Sequence, residues 1–203
     1  MEFKELDKII REIYRYYQEI RNGWMKCNDY QQINLSKKFV IDVMDSSRCP
    51  ELLQVIFNHR AFLFENVVSI SILLAIENCE SRVKNQNSLE SKLATYCGQN
   101  HENGEIALKK CVNDLYGIRY ILKDNSDLLE IKNYVKNNFP KLKCIDSSNN
   151  DYKAIHVYFK EDNYDFPWEL QIWNPEDEQS NKKSHEKYKQ GYTTWESESI
   201  KEV

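Results

Sequence analysis

Side chains suited to phosphate and metal chemistry are concentrated in four short stretches of the sequence, of which the last is Trp168–Trp173, WELQIW. Apolar and polar residues alternate along it, which predicts a β-strand whose successive side chains point to opposite faces. Glu169, Gln171 and Trp173 then share one face, away from the apolar residues. A carboxylate, an amide and an indole on a stiff strand suit a platform for a metal ion and a nucleotide, although a solvated surface strand has the same pattern.

The first stretch places basic side chains around a predicted helix start. Arg82 and Lys84 share a face of a predicted strand, and Asn87 or Ser88 is suited to cap the helix that follows. The first turn of a helix offers free backbone N–H groups and a positive dipole end, and Lys92 lies one turn beyond Ser88. These groups together meet the needs of a polyphosphate. A solvated basic strand with an ordinary cap is the alternative that these residues alone leave open.

The two middle stretches supply a second carboxylate, an aromatic ring and an imidazole. Asp114 precedes a predicted strand and offers the oxygen ligands that Mg²⁺ prefers, or it caps the local backbone. Tyr152 and His156 share a strand face, where the ring would stack on a base and the imidazole would bind a phosphate or hydroxyl. A half-buried Tyr on an edge strand is the alternative. Asp114 and Glu169 would share a Mg²⁺ ion, and Glu169 would also accept a proton from an attacking hydroxyl.

Composition favours one globular domain with a real core. The chain has 203 residues, of which 41% are hydrophobic and 30% charged. Its net charge of −4 argues against a broadly basic nucleic-acid-binding surface, while a local basic pocket stays compatible with it.

Cysteine usage and hydropathy predict a cytoplasmic protein without a membrane partner. The six cysteines form no C-x-x-C pair, and no His lies close to a pair of cysteines, so metal-ligand spacing is absent and reduced thiols are expected. No signal peptide is evident. The most apolar run, Val67–Ile76, is roughly half the length needed to cross a bilayer and is predicted to be a buried helix.

The pattern of elements changes along the chain. Apolar spacing of three and four predicts a helix over residues 2–22 that stops at Asn22-Gly23. Further helical patterns cover residues 35–45, 50–80, 88–97 and 128–138, and β-like runs cover residues 81–84, 118–122, 154–160 and 168–173, with a hairpin loop near 161–167. This order predicts an α+β (mixed α/β) fold, a mixed sheet flanked by helices after an N-terminal helical region. The expected division is a helical region at 1–80, a core at 81–175, and a C-terminal helix and tail at 176–203.

In order and spacing these motifs resemble the synthetase domain of the RelA/SpoT family, the alarmone synthetases. The matching motifs are Arg82-x-Lys84 with Ser88 and Lys92; Asp114-x-x-Gly117-x-Arg119; Tyr152-Lys153-x-x-His156; Glu169-x-Gln171; and His185 followed by Tyr188-Lys189. The resemblance covers about residues 75–190. Each motif alone is weak, but all five in order are hard to reach by chance.

The resemblance implies a nucleotidyltransferase-like fold and transfer of pyrophosphate from ATP to the 3′-hydroxyl of GDP or GTP, with Mg²⁺. The residues implied to bind ATP are Arg82, Lys84, Ser88 and Lys92 at the phosphates and Arg119 at the adenine. Asp114 and Glu169 are implied to bind Mg²⁺, with Glu169 activating the hydroxyl. The residues implied on the acceptor side are Tyr152, as a stacking platform, and Lys153, His156, Gln171 and His185. The family's hydrolase pattern of His and Asp is not found, so a small synthetase without hydrolase activity is expected.

Two departures fall on the acceptor side. Asn150-Asp151 stands where family members often have Asn-Gly, and Trp173 stands where they often have Arg. A toxic relative that pyrophosphorylates the tRNA 3′ end or adenine nucleotides, with an antitoxin protein as partner, is therefore the alternative. A non-catalytic nucleotide-binding module is a third interpretation, which the presence of all the expected catalytic side chains disfavours.

Overall fold

The computed structural model describes residues 3–27, 33–73 and 78–186. Its helices are α1 (Lys4–Cys27), α2 (Val40–Met44), α3 (Pro50–Leu73), α4 (Gln86–Tyr96), α5 (Leu108–Cys111) and α6 (Leu128–Asn138). Its strands are β1 (Cys79–Val83), β2 (Tyr116–Ile121), β3 (Lys143–Asp146), β4 (Ile155–Phe159) and β5 (Trp168–Trp173). Residues 178–186 are also helical. Within these ranges, no helix combines the length and the apolar character needed to cross a bilayer.

The described strands form one five-stranded mixed sheet in the order β1-β2-β5-β4-β3. β2 and β5 run parallel at its centre, and the other neighbouring pairs are antiparallel. Parallel strands need a crossover connection, and the chain between β2 and β5 supplies it with α6 and the outer strands β3 and β4. The predicted fold class, a mixed sheet flanked by helices, is confirmed.

One face of the sheet is apolar and is covered by helices. Ile118 of β2 and Leu170 of β5 are buried in a single core cluster with residues of α1, α3 and α6. The residues that α1 buries are Leu6, Ile9, Ile10, Ile13, Tyr16, Tyr17 and Trp24. Each large aliphatic side chain so buried contributes about 1.5–3 kcal/mol. The opposite face of the central strands is left to polar side chains.

Helix α1 is joined to the β4–β5 loop by specific polar contacts. Arg21 Nε lies 2.7 Å from Asp165 Oδ1. The Tyr14 hydroxyl donates to Glu161 Oε1 at 2.6 Å. Asp165 Oδ2 also accepts from the backbone N–H of Glu161 at 2.9 Å and of Asp162 at 3.0 Å. The N-terminal helix therefore holds the loop that leads into β5.

Several predicted boundaries are wrong. The first helix does not end at Asn22-Gly23 as predicted, because α1 continues to Cys27 and buries Trp24. Gly within a helix costs only about 1 kcal/mol, which the burial of an indole outweighs. The helix predicted over residues 50–80 ends earlier, since β1 already begins at Cys79. The pattern at 35–45 yields only the short helix α2, and β3 was not predicted. Of the apolar run at 67–76, residues 67–73 belong to α3, and its predicted burial lies outside the described side chains.

Candidate active site

The sheet register brings the predicted site residues of four strands into rows across the polar face. Arg82 of β1 is paired with Gly117 of β2, and Gly117 is paired with Glu169 of β5. On the other side of Glu169, the paired residue is Tyr158 of β4. The next row contains Glu80, Arg119, Gln171 and His156 in the same strand order. Gly117 lies at the centre of the first row, where a Cβ would meet no atom within 4 Å.

Two adjoining clefts open over this face. The larger has a volume of about 420 Å³, and the predicted residues that line it are Arg82, Lys84, Ser88, Lys92, Asp114, His156, Glu169, Gln171 and His185. The smaller, of about 200 Å³, is lined by Arg119 and Gly117 and shares Arg82, Asp114, Glu169 and Gln171 with the first. Among the predicted residues, Tyr152 and Lys153 are in neither lining.

The start of α4 forms one wall of the larger cleft, and its cap differs from the predicted one. Asn85 is the N-cap, because its side chain accepts a hydrogen bond from the backbone N–H of Asn87 at 2.9 Å. The helix therefore begins two residues before Ser88, which lies in the first turn. The hydroxyl of Ser88 thus stands among the backbone N–H groups that a helix start leaves free.

Asp114 is held in a largely buried ion triad with two of the predicted phosphate-binding lysines, the exposed fractions of the three side chains being 11–19%. Lys84 Nζ lies 2.6 Å from Asp114 Oδ2, and Lys92 Nζ lies 2.9 Å from Oδ1. Burial acts to raise the pKa of Asp114, but the ammonium groups of Lys92 and Lys84 outweigh it and hold that pKa well below its usual value. Asp114 is therefore ionised at neutral pH.

The pKa values of the two lysines are shifted in opposite directions. Burial lowers the pKa of Lys84, and the attraction of Asp114 does not fully offset it. Burial also acts to lower the pKa of Lys92, but Asp114 and the neighbouring Cys111 outweigh it and the net direction is upward. The triad thus carries one excess positive charge at the wall of the cleft.

Glu169 is a buried carboxylate surrounded by donors. Its exposed fraction is 6%, and all six residues of β5 are buried, which excludes the solvated-strand interpretation of WELQIW. Tyr158 donates to Oε1 at 2.8 Å, His156 Nδ1 lies 3.1 Å from Oε1, and Gln171 Nε2 donates to Oε2 at 2.8 Å. Burial acts to raise the pKa of Glu169, but the contacts with His156 and Gln171 outweigh it and lower the pKa.

A chain of hydrogen bonds links Trp173 and Tyr152 to His156 and Glu169. Trp173 Nε1 donates to the Tyr152 hydroxyl oxygen at 3.3 Å, because an indole N–H can only donate. The Tyr152 hydroxyl lies 2.9 Å from His156 Nε2. On the other side of the imidazole, His156 Nδ1 lies 3.1 Å from Glu169 Oε1. The imidazole therefore connects the buried rings of Tyr152 and Trp173 to the carboxylate.

Tyr152 and Lys153 make contacts outside the two cleft linings. Tyr152 is 8% exposed, and its ring makes edge contacts with the rings of His156, Trp173 and His185 at centroid distances of 5.8, 6.0 and 5.3 Å. Lys153 Nζ lies 3.3 Å from Asp177 Oδ1. Base stacking on Tyr152 and substrate contact by Lys153 both stay predictions.

Trp173, the departure from the family pattern, is buried and contacts one lining residue of each cleft. The guanidinium of Arg119 lies 3.8 Å from the centre of its ring, a cation–π contact. The ring of His185 stacks on it at 5.7 Å. Burial lowers the pKa of His185 to about 4, so its imidazole is neutral at pH 7. An Arg at position 173 would place a second cation beside Arg119, whereas the indole favours the one already there.

The two acidic side chains fit a magnesium ion. Asp114 and Glu169 line both clefts and offer only oxygen ligands. Over the described residues, no group of three or more His, Cys, Asp or Glu side chains has the arrangement of a metal site. Mg²⁺ is usually held by one or two carboxylates together with substrate phosphates, so the pair is sufficient.

Sequence analysis missed Tyr158, whose side chain lines the larger cleft. The predicted strand at 154–160 already places residue 158 on the same face as His156, since the strand period is two. That spacing was enough to find it. Lys110 and Asn113 also line the cleft, but they lie on α5 and the following turn, where no motif marks them.

The chain is similar to one family model and to several solved structures. A family model described as a region found in RelA/SpoT proteins matches residues 81–193. A search of curated proteins found no match. Similar solved structures include small alarmone synthetase 2 from Bacillus subtilis, with 19% identity over 69% of this chain and 81% of that chain and a TM-score of 0.40.

A second is small alarmone synthetase 1 from Bacillus subtilis, with 17% identity over 72% of this chain and 81% of that chain and a TM-score of 0.40. The same synthetase bound to its product pppGpp matches with 15% identity over 73% of this chain and 82% of that chain, and a TM-score of 0.38. The family model covers more than half of the 203 residues. This chain therefore belongs to the RelA/SpoT family, a membership that supports (p)ppGpp-type synthesis in general as its class of activity.

Proposed function

We propose that the protein is a pyrophosphokinase that transfers the β,γ-pyrophosphate of ATP to the 3′-hydroxyl of GDP or GTP. The observation that carries this proposal is the convergence of two ionised carboxylates, Asp114 and Glu169, with basic groups from β1 and α4 on one cleft. In the reaction, the 3′-oxygen bonds to the β-phosphorus of ATP, the bond from that phosphorus to the α–β bridging oxygen breaks, and AMP leaves. The hydroxyl proton passes to Glu169 or to solvent.

The residues around α4 supply what the ATP phosphates need. Arg82 is exposed at the cleft and available to a phosphate, and Ser88 stands in the first turn of the helix. Lys84 and Lys92 are held close to the same point by Asp114. Transfer of a phosphoryl-type group depends on positioning and charge neutralisation more than on covalent chemistry by the protein.

Asp114 and Glu169 would hold a Mg²⁺ ion against the phosphates. When bound, the ion would neutralise charge on the phosphate oxygens and polarise the transferred group. A metal ion bound to Asp114 would compete with Lys84 and Lys92 for the carboxylate, so the lysines would be released towards the phosphates. Glu169 would remain oriented by its donors. We propose synthetase activity alone, without hydrolysis of the product.

The test is a transfer assay with γ-labelled ATP and Mg²⁺, since the transferred group includes the γ-phosphorus. GDP, GTP, ADP and uncharged tRNA are offered separately and the products resolved by charge. Label on a guanine nucleotide supports the proposal. Glu169→Gln should abolish this product, and Glu130→Gln, on the exposed side of α6, serves as the matched control. Full activity of Glu169→Gln would remove Glu169 from its role.

A second candidate function is transfer to the tRNA 3′ end or to an adenine nucleotide, in a protein kept in check by an antitoxin. The observation that favours it is on the acceptor side, where Trp173 and His185 enclose the ring of Tyr152. Label found only on tRNA or ADP would support this alternative. ATP binding without transfer to any acceptor would instead support a non-catalytic module.

A further inference from the structure

Tyr158 occupies a position next to Glu169 that the family motifs do not mark. The two residues are directly paired across β4 and β5, so their side chains leave the sheet side by side. Tyr158 is 8% exposed and lines the larger cleft. Its hydroxyl donates to Glu169 Oε1 at 2.8 Å.

The contact completes a set of donors that fixes both oxygens of the carboxylate. Oε1 lies within hydrogen-bond distance of Tyr158 and His156, while Oε2 accepts from Gln171 on the same strand. Gln171 binds only Oε2, so that contact alone leaves Oε1 unheld and the carboxylate free to rotate. A donor from the neighbouring strand removes this freedom because it binds the other oxygen.

The phenol is well suited to this task. A Tyr side chain has only two rotatable bonds before its rigid ring. The ring of Tyr158 projects from β4, and the ammonium group of Lys143 lies over it, 5.8 Å from its centre. Hydrogen bonds to a charged acceptor are about twice as strong as neutral ones. His156 alone would hold Oε1 at a longer distance.

We propose that Tyr158 is a positioning residue, whose hydroxyl holds the Glu169 carboxylate in the orientation that the metal and the attacking hydroxyl require. The inference rests on the proposed role of Glu169. Tyr158 acts through Glu169 and needs no contact of its own with the reacting atoms. Removing its hydroxyl leaves the carboxylate in the cleft but loosens its orientation.

The test is Tyr158→Phe, which removes one hydroxyl and keeps the ring. Loss of a group that orients a metal ligand typically costs about 10–100-fold in activity or metal affinity. We expect kcat to fall by about that factor, with KM for ATP within about twofold, because the lysines that meet the phosphates are unaffected. Tyr134→Phe is the matched control, since Tyr134 also donates to a carboxylate, at 3.2 Å to Asp7, on a different surface. It should retain wild-type kcat.

A second readout does not depend on turnover. Mn²⁺ binding in the presence of a non-hydrolysable ATP analogue, followed by electron paramagnetic resonance, should weaken about tenfold in Tyr158→Phe and not in Tyr134→Phe. Thermal denaturation checks that both variants are folded. Wild-type kcat, or wild-type Mn²⁺ affinity, in folded Tyr158→Phe overturns the proposal. If the unmodified protein transfers label to no acceptor, the proposed function fails, and the Mn²⁺ measurement alone still decides the role of Tyr158.

Discussion

Lys84 Nζ lies 2.6 Å from Asp114 Oδ2. The resemblance assigns the first residue to the ATP phosphates and the second to the metal, and the structure pairs the two with each other. Because each charge neutralises the other, the pairing lowers the cost of holding both groups largely out of water. In the proposed function, nucleotide and metal would have to exchange for these contacts.

Replacement of Asp114 by Asn should destabilise the protein as well as inactivate it. The change leaves Lys84 and Lys92 facing each other without an anion, and breaking a buried ion pair in this way costs about 3–5 kcal/mol. The free energy of unfolding, measured by urea denaturation at pH 7, should fall by about 3 kcal/mol.

The effect of Asp114→Asn should also depend on pH. The pKa of Asp114 is lowered in the folded state, so its stabilising contribution is complete above the ordinary value of 3.8 and is lost as the pH falls below it. The gap in unfolding free energy between the two proteins should therefore narrow in acid. A gap of equal size at pH 7 and pH 3 would contradict the ion-pair explanation.

Gly117 should tolerate Ala but not Leu in function. A Cβ at this position meets no atom within 4 Å, so Gly117→Ala should leave the unfolding temperature unchanged or slightly higher. Leu would extend into the smaller cleft between Arg82 and Glu169, where it would obstruct the proposed ATP site. We expect at least about a tenfold loss of ATP affinity by calorimetry for Leu and wild-type affinity for Ala. Wild-type ATP binding by Gly117→Leu would place the nucleotide elsewhere.

His59→Phe should stabilise the protein, and more so at low pH. His59 is stacked on Phe166 with ring centres 4.2 Å apart, and neither of its ring nitrogens has a hydrogen-bond partner in the part of the chain that the structure describes. An adjoining cavity of about 40 Å³ gives a larger ring room. Removing two buried unpaired nitrogens should increase the free energy of unfolding by about 1 kcal/mol at pH 7.

The pH dependence of this variant follows from the burial of His59. Burial lowers the pKa of His59 from 6.5 to about 3, so the unfolded chain takes up a proton in that range and the folded protein does not. The free energy of unfolding of the parent protein is therefore unaffected by this group above pH 6.5. Below pH 6.5 it declines, by up to about 1.4 kcal/mol per pH unit, because only the unfolded chain gains the proton. In urea denaturation at pH 7, 6 and 5, the free energy of unfolding of His59→Phe should exceed that of the parent protein by an amount that increases as the pH falls. His101→Phe controls for the loss of any histidine, and a pH-independent difference at position 59 would refute the explanation.

Strongly periodic segments were predicted almost to the residue. The strand Trp168–Trp173 and the helix over 128–138 have the bounds that their patterns indicate. Their periodicity is a local property, and in the helix the burial of Ile131 and Val135 on one face confirms it. Shorter or interrupted elements depended on context, as in β3 (Lys143–Asp146), which is held only by pairing with β4. The continuation of α1 past Gly23 was decided by the burial of Trp24.

The same contrast holds for the site. Motif spacing nominated most of the residues that line the two clefts, because residue types and strand and helix periods indicate which side chains share a face. It did not nominate Tyr158, and it did nominate Tyr152, which lies in neither lining. The pairing of Lys84 with Asp114, the contact of Tyr152 with Trp173, and the donor that Tyr158 offers to Glu169 join residues 11 to 30 positions apart in the chain. Only the sheet register and the packing of the helices against it bring such groups within hydrogen-bond distance. Sequence periodicity therefore indicated most of the chemical groups that face the cleft, and the tertiary structure decided which of them bind one another.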